Sequence, residues 1–295
     1  MQLCTYNTEQ ADLPGMLAGD SVIIPALDTQ FGHLLTMQSL IESGESTLAM
    51  LSEWANSAPD HCKYPNDIAR YKAPIPVPRQ NIICLGWNYA EHAIESAQSR
   101  QRDIKLPEDP IVFTKAIGSV IGPEGQMMLD SSVTTELDWE VELAMIIGRK
   151  ARHVARENAL AHVFGYTVVN DLSARDLQFR HKQYFIGKSL DGACPMGPVI
   201  TTPDEIDDPQ DLGLRSWVNG ELKQDSNTRH QIFGCAEIIH RLSQSMTLQP
   251  GDIIATGTPE GVGFARQPPE FLKPGDLVAC EVDGIGRLET RITAV

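Results

Sequence analysis

Short apolar runs rich in β-branched residues recur through the last two-thirds of the chain, and turn signals separate them. NIICLGW, DPIVFTK, WEVELAMIIG, GYTVVND, GPVIT, LRSWVNGEL, DIIATGT and LVACEVDGIGRLETRITAV all have this form, which predicts strands. The tripeptide PGD occurs at 250–252 and 274–276, each time just ahead of a strand, as a turn-forming set should. Helical periodicity fits LLTMQSLIESG, ESTLAMLSEWANS, ARENALAHVFG and CAEIIHRLSQSM, the last with Ile238, Ile239 and Leu242 on one stripe. Strands outnumber helices and do not alternate with them one for one. That pattern argues against a doubly wound or barrel α/β fold and for a β-rich α+β architecture with much antiparallel pairing. Prolines 65, 74, 76 and 78 mark an extended seam. It separates a small N-terminal α/β region, residues 1–75, from a larger one, residues 76–295.

A chain of 295 residues suits one large domain or a large and a small one. Its net charge of −15, from 24 basic and 39 acidic residues, argues against nucleic acid and against an anionic membrane surface, both of which select basic faces. An anionic small molecule would need cations supplied locally. No stretch approaches the roughly 18 apolar residues of a membrane span, and MQLCTYNTEQ lacks the basic-then-apolar order of a secretory signal. The six cysteines, at 4, 62, 84, 194, 235 and 280, include no C-x-x-C pair. They read as reduced thiols of a cytoplasmic protein.

Within LDWEVELAMIIG (137–148), Asp138, Glu140 and Glu142 occupy alternate positions. On a regular strand they share a face, and adjacent like charges repel. Either that face is solvated, or the acids hold a hard divalent cation, which turns their repulsion into attraction. Asp171 closes the apolar run of GYTVVND. It reads equally as the cap of a following helix or as a further ligand. Asp176 reads as a solvated or arginine-paired charge.

His92 and Glu95 stand three apart in NYAEHAIES, just after an apolar strand. On a helix they share a face, so the carboxylate can orient the imidazole as a general base, although surface helices also produce such pairs by chance. Lys188, in FIGKSLDG, is either solvated or a cation for an anionic substrate. The chain has no phosphate loop, no G-x-G-x-x-G after a strand and no G-x-S-x-G elbow, which disfavours nucleotide-dependent and serine-hydrolase chemistry.

In this order, GWNYAEHAIES, FTK, LDWEVELAMIIGRKAR, GYTVVNDLSARDLQ, GKSLDG, VNGE, LQPGDIIATGTPEGVG and LKPGDLV resemble the fumarylacetoacetate hydrolase superfamily. The likeness is to its acylpyruvate hydrolase and 2-hydroxyhepta-2,4-diene-1,7-dioate isomerase-like members. The resemblance implies a mixed β-sandwich roll, usually in homodimers, and Mg²⁺ or Mn²⁺ held by Glu140, Glu142 and Asp171. It further implies His92 and Glu95 as a water-activating dyad and Lys188 as a contact to substrate and developing charge. Arg175, Gln178 and Thr258 match substrate-contacting positions. Trp87 departs from the Leu or Arg usual beside the substrate. The activity implied is hydrolysis of a C–C bond in a 3-acylpyruvate such as fumarylpyruvate. The alternative is isomerisation or decarboxylation of a 2-oxo diacid, such as oxaloacetate or 2-hydroxyhepta-2,4-diene-1,7-dioate, on the same metal platform.

Overall fold

The computed structural model describes residues 1–101, 103 and 105–295, and the apolar runs form strands in two packed sheets. The larger sheet runs, in spatial order, Lys63–Pro65, Ser21–Ile23, Asp12–Ala18, Gln2–Asn7, Cys194–Thr201, Val163–Asn170, Val141–Ile147, Ile253–Ala255, Ile82–Gly86 and Ile111–Lys115. The smaller runs Glu221–Asn227, Gly213–Val218, Leu277–Val282, Gly286–Ala294 and Gly125–Leu129. Most neighbours are antiparallel. Ile253–Ala255 joins Ile82–Gly86 in parallel, and Gly286–Ala294 joins Gly125–Leu129 in parallel. This is the β-rich, mixed architecture that the run pattern predicts.

Two-sided burial explains why Val141–Ile147 is apolar from Leu143 onward. Val141, Leu143, Met145 and Ile147 pack into a core shared by both sheets, with Leu214, Val278, Cys280 and Leu288. Ala144 and Ile146 face the opposite way, toward Leu3, Met37, Leu40 and Leu51 from the N-terminal strands and helices. A strand covered on both faces needs no polar alternation. Truncating a fully buried leucine such as Leu143 costs about 2–5 kcal/mol.

The N-terminal strands continue the larger sheet, since Gln2 and Leu3 pair with Thr201 and Ile200. The proline-rich seam lies bound along it: Lys63–Pro65 pairs with Ser21–Ile23, and Tyr71–Lys72 with Thr5 and Tyr6. Helices fall at Met37–Glu42, Glu45–Ala55 and Cys235–Ser245, where the periodicity predicts them. Among the described residues no helix is long and apolar enough to cross a membrane.

Three local expectations need correction. ARENALAHVFG forms a 3₁₀ segment, Arg156–His162, because Val163 and Phe164 are taken into the next strand. LRSWVNGEL is a hairpin rather than one strand, turning at Asn219 and Gly220, both with positive φ, the signature of an Asn-Gly turn. LDWEVELAMIIG is also broken. Leu137–Asp138 pairs with Ser173–Ala174, Val141–Ile147 with Val163–Asn170, and Trp139 and Glu140 lie between the two.

Candidate active site

The break at Trp139 and Glu140 builds the site. Glu142 remains on the strand, opposite Val169, while Glu140 sits just before it. The chain after Asn170 is tied across to Glu140: Asp171 N donates to Glu140 O (2.8 Å), and Glu140 N donates to Asn170 Oδ1 (3.0 Å). One carboxylate oxygen from each of Glu140, Glu142 and Asp171 therefore lies within 4.8 Å of the others. All three side chains are buried, so the solvated-face reading is excluded. The capping reading of Asp171 fails too, because the next helix, Arg175–Arg180, begins after Ala174. Asp176 is partly exposed and has no arginine partner among the described residues; it accepts from Thr134 Oγ1 and Leu177 N.

Asp138 leaves this cluster and faces elsewhere. Its oxygens accept from the N–H groups of Trp139, Gly263 and Phe264 and from Arg175 Nε at 2.9 Å. Arg175 Nη2 stands 2.6 Å from Glu140 Oε1, so one guanidinium ties Asp138 to the cluster. Lys188 Nζ bridges Glu140 Oε2 and Asp171 Oδ2, at 2.7 Å each. Lys188 closes a short helix, Phe185–Lys188, that packs hard against Arg175–Arg180: a Cβ on Gly187 would stand 2.5 Å from Gln178 N. Glycine before the lysine is what allows this approach.

Lys115 completes the set. It is fully buried at the end of Ile111–Lys115, and its Nζ donates to Asp171 Oδ1 (2.6 Å) and Leu172 O (3.1 Å). Sequence reasoning missed it, although the signal was present: a lysine closing an apolar strand is almost never buried without a charged partner.

Charge balance decides what this arrangement can hold. Four buried carboxylates, Asp138, Glu140, Glu142 and Asp171, face three buried cations, Lys115, Arg175 and Lys188. Burial would raise the Glu140 carboxyl, but Lys188 and Arg175 outweigh it and hold the group at about 2. Burial followed by the charges of Asp171 and Glu140 pushes Glu142 well above the usual carboxylate range. Glu142 has no ion-pair partner among the described residues; its one hydrogen bond is from Gly257 N at 2.8 Å. An all-carboxylate cluster carrying one uncompensated charge suits a hard divalent cation such as Mg²⁺ or Mn²⁺.

Beside the cluster is a narrow cavity of about 30 Å³, lined by His92, Glu140, Arg175, Gln178, Lys188 and Thr258 and crowded by Trp87, Phe113, Phe179, Tyr184 and Phe264. The model for the C-terminal domain of fumarylacetoacetate (FAA) hydrolase matches residues 81–293. The chain belongs to this family. It is 47% identical over 272 residues to oxaloacetate tautomerase YisK of Bacillus subtilis, a match covering 90% of this chain and 88% of that protein. The solved fumarylacetoacetate hydrolase of Exiguobacterium antarcticum superposes with a TM-score of 0.85 at 35% identity, covering all of both chains. Maleylpyruvate hydrolase from Sphingobium sp. SYK-6, solved with manganese(II) and pyruvate, gives a TM-score of 0.79 at 30% identity. That superposition covers 100% of this chain and 99% of the other.

In this family member all nine sequence-derived candidates fall at one place. His92 and Glu95 share a face of the Ala90–Ser99 helix, with Nδ1 of the ring 2.9 Å from Glu95 Oε1. Nε2 is the ring nitrogen left to exchange a proton. Arg175 lines the cavity, but its charge is used on Asp138 and Glu140. Gln178 accepts from Arg175 Nη1 through Oε1 at 3.0 Å, which leaves its amide N–H groups to a ligand. Thr258 borders the cavity with its hydroxyl already engaged, donating to Val141 O and accepting from Gln224 Nε2. One lone pair remains to it.

Proposed function

We propose that this chain interconverts the keto and enol forms of oxaloacetate. The observation that carries this reading is the 47% identity to a tautomerase across nine-tenths of the chain. It moves the balance away from acylpyruvate hydrolysis, the activity that the sequence motifs imply first, to the 2-oxo diacid alternative.

Tautomerisation breaks a C3–H bond, forms C2=C3 and places a proton on the 2-oxo oxygen. Each residue near the cavity has a matching task. His92 takes or returns the C3 proton through Nε2, while Glu95 fixes the tautomer by holding Nδ1, an arrangement that contributes about 10²–10⁴-fold. Lys188 faces the charge that develops on oxygen. Gln178, held through its carbonyl by Arg175, presents amide N–H donors suited to a carboxylate. A divalent cation held by Glu140, Glu142 and Asp171 would polarise the 2-oxo group as a Lewis acid, worth several kcal/mol.

The second reading is hydrolysis of a 3-acylpyruvate, supported by the intact His92–Glu95 pair and the likeness to maleylpyruvate hydrolase. One experiment separates the two. The loss of enol absorbance from oxaloacetate is followed with Mn²⁺ or with a chelator, beside pyruvate release from oxaloacetate and from a panel of acylpyruvates. Tautomerase activity predicts metal-dependent acceleration of the enol-to-keto change without pyruvate. Pyruvate from acylpyruvates, with no acceleration on oxaloacetate, sinks the proposal in favour of hydrolysis. Pyruvate from oxaloacetate above the level of an enzyme-free Mn²⁺ control sinks it in favour of decarboxylation.

A further inference from the structure

The segment after Ile253–Ala255, Thr256–Phe264, sends four backbone N–H groups to three separate carboxylates. Gly257 N donates to Glu142 Oε2 at 2.8 Å. Gly263 N and Phe264 N donate to Asp138 Oδ1 and Oδ2 at 2.6 and 3.1 Å. Between them, Gly261 N reaches both oxygens of Glu95, at 3.2 Å to Oε1 and 3.0 Å to Oε2. One loop thus touches the acid cluster, the Asp138–Arg175 pair behind it and the His92–Glu95 dyad.

Gly261 is the fixed end of its contact. Its carbonyl accepts from Trp139 Nε1 at 3.2 Å. Its φ of +99° is one that only glycine adopts readily, and a Cβ there would stand 2.2 Å from Lys223 O. Glu95 is the movable end. It sits on a helix with its side chain 23% exposed, so helical spacing to His92 alone leaves it free to turn toward water. The Gly261 N–H, a donor that favours a charged carboxylate, removes that freedom. We propose that Gly261 is a positioning residue for proton transfer: its N–H fixes Glu95 and, through Glu95, the His92 imidazole over the acid cluster. Docking of the Ala90–Ser99 helix and assembly of the base are then one event. The proposal rests on the dyad role given above for His92 and Glu95.

Two measurements test it. The first needs neither substrate nor metal: hydrogen exchange of the Gly261 amide in the full chain and in Glu95→Ala. Strong protection in the parent and its loss in Glu95→Ala, with the Gly257 amide unchanged, is the expected result. Equal protection in both proteins overturns the proposal. The second is a double-mutant cycle of Gly261→Ala and Glu95→Gln on kcat and KM. Gly261→Ala should lower kcat by up to about 100-fold, the scale of a small misplacement, with KM nearly unchanged. The double variant should be no worse than the poorer single one, because both act through one contact. Losses that multiply instead mark Gly261 as merely structural and refute the idea. If Gly261→Ala does not fold, the exchange measurement still decides. If the parent does not tautomerise oxaloacetate, the functional reading falls while the exchange result stands on its own.

Discussion

Replacing Glu142 with glutamine should make the metal-free protein more stable and remove its response to divalent cations. Glu142 is the buried acid without a cationic partner among the described residues, and its neighbours Glu140 and Asp171 lie within 4.8 Å of it, oxygen to oxygen. At that distance and an effective dielectric of ~20, each like-charge pair costs about 3 kcal/mol. Attraction to Lys188, which acts on Glu142 in the opposite sense, offsets about one such pair. A glutamine keeps the shape and can still accept from Gly257 N through its carbonyl oxygen. The net gain in the metal-free protein should therefore be roughly 1–3 kcal/mol, or about 2–5 °C in Tm for a chain of this size. With Mn²⁺ at about 100 times its dissociation constant, the parent gains about 2.7 kcal/mol and the variant much less. The variant's lead in melting temperature should shrink by most of that 2.7 kcal/mol, or reverse, between chelator and metal. Calorimetry in both conditions checks this. A variant less stable than its parent in chelator, or one that keeps the full metal-induced shift, refutes the charge argument.

Three further outcomes follow from the same geometry. Lys115→Met removes a buried ammonium from Asp171 Oδ1 and Leu172 O; it should cost roughly 3 kcal/mol in urea denaturation, and a loss under about 0.5 kcal/mol contradicts the pairing described. Arg175→Lys cannot serve Asp138, Glu140 and Gln178 together, because one ammonium lacks the guanidinium fork. Its kcat/KM should fall about 10- to 100-fold, and parental kinetics would remove Arg175 from the site. Asp252 is buried, and burial raises its carboxyl above the usual range, against the N–H of Gln249 and the more distant Arg79. A raised carboxyl stabilises the fold below its unfolded pKa of about 4 and loses that contribution as pH rises through the folded value. Asp252→Asn should accordingly gain on its parent as pH rises across that window, measured by urea midpoints in chelator; a constant difference rejects the assignment.

The sequence by itself determined the β-rich architecture and the family. Apolar runs cut by Gly, Pro and Asn signals are local, and their number relative to helices limits how a chain can pack. It also carried the ordered motifs whose resemblance to that family singles out Glu140, Glu142, Asp171, His92, Glu95 and Lys188, which residue type and spacing alone left open to solvated, capping or chance readings. Alternation on a regular strand nevertheless placed Asp138, Glu140 and Glu142 side by side. Only the structure showed the break at Trp139–Glu140 that turns Asp138 toward Arg175.

Tertiary structure also decided burial, which separates a solvated row of acids from a cation site. The same local sequence permits both until Lys115, Arg175 and the Phe185–Lys188 helix close over it. Lys115 and Asp171 are 56 positions apart, and Glu95 and Gly261 166 apart, so no local pattern joins them. The loop contacts are the least legible of all. They are made by backbone N–H groups, which every residue but proline carries, so the sequence offers only a glycine at 257, 261 and 263 and leaves the fold to say which carboxylate each amide meets.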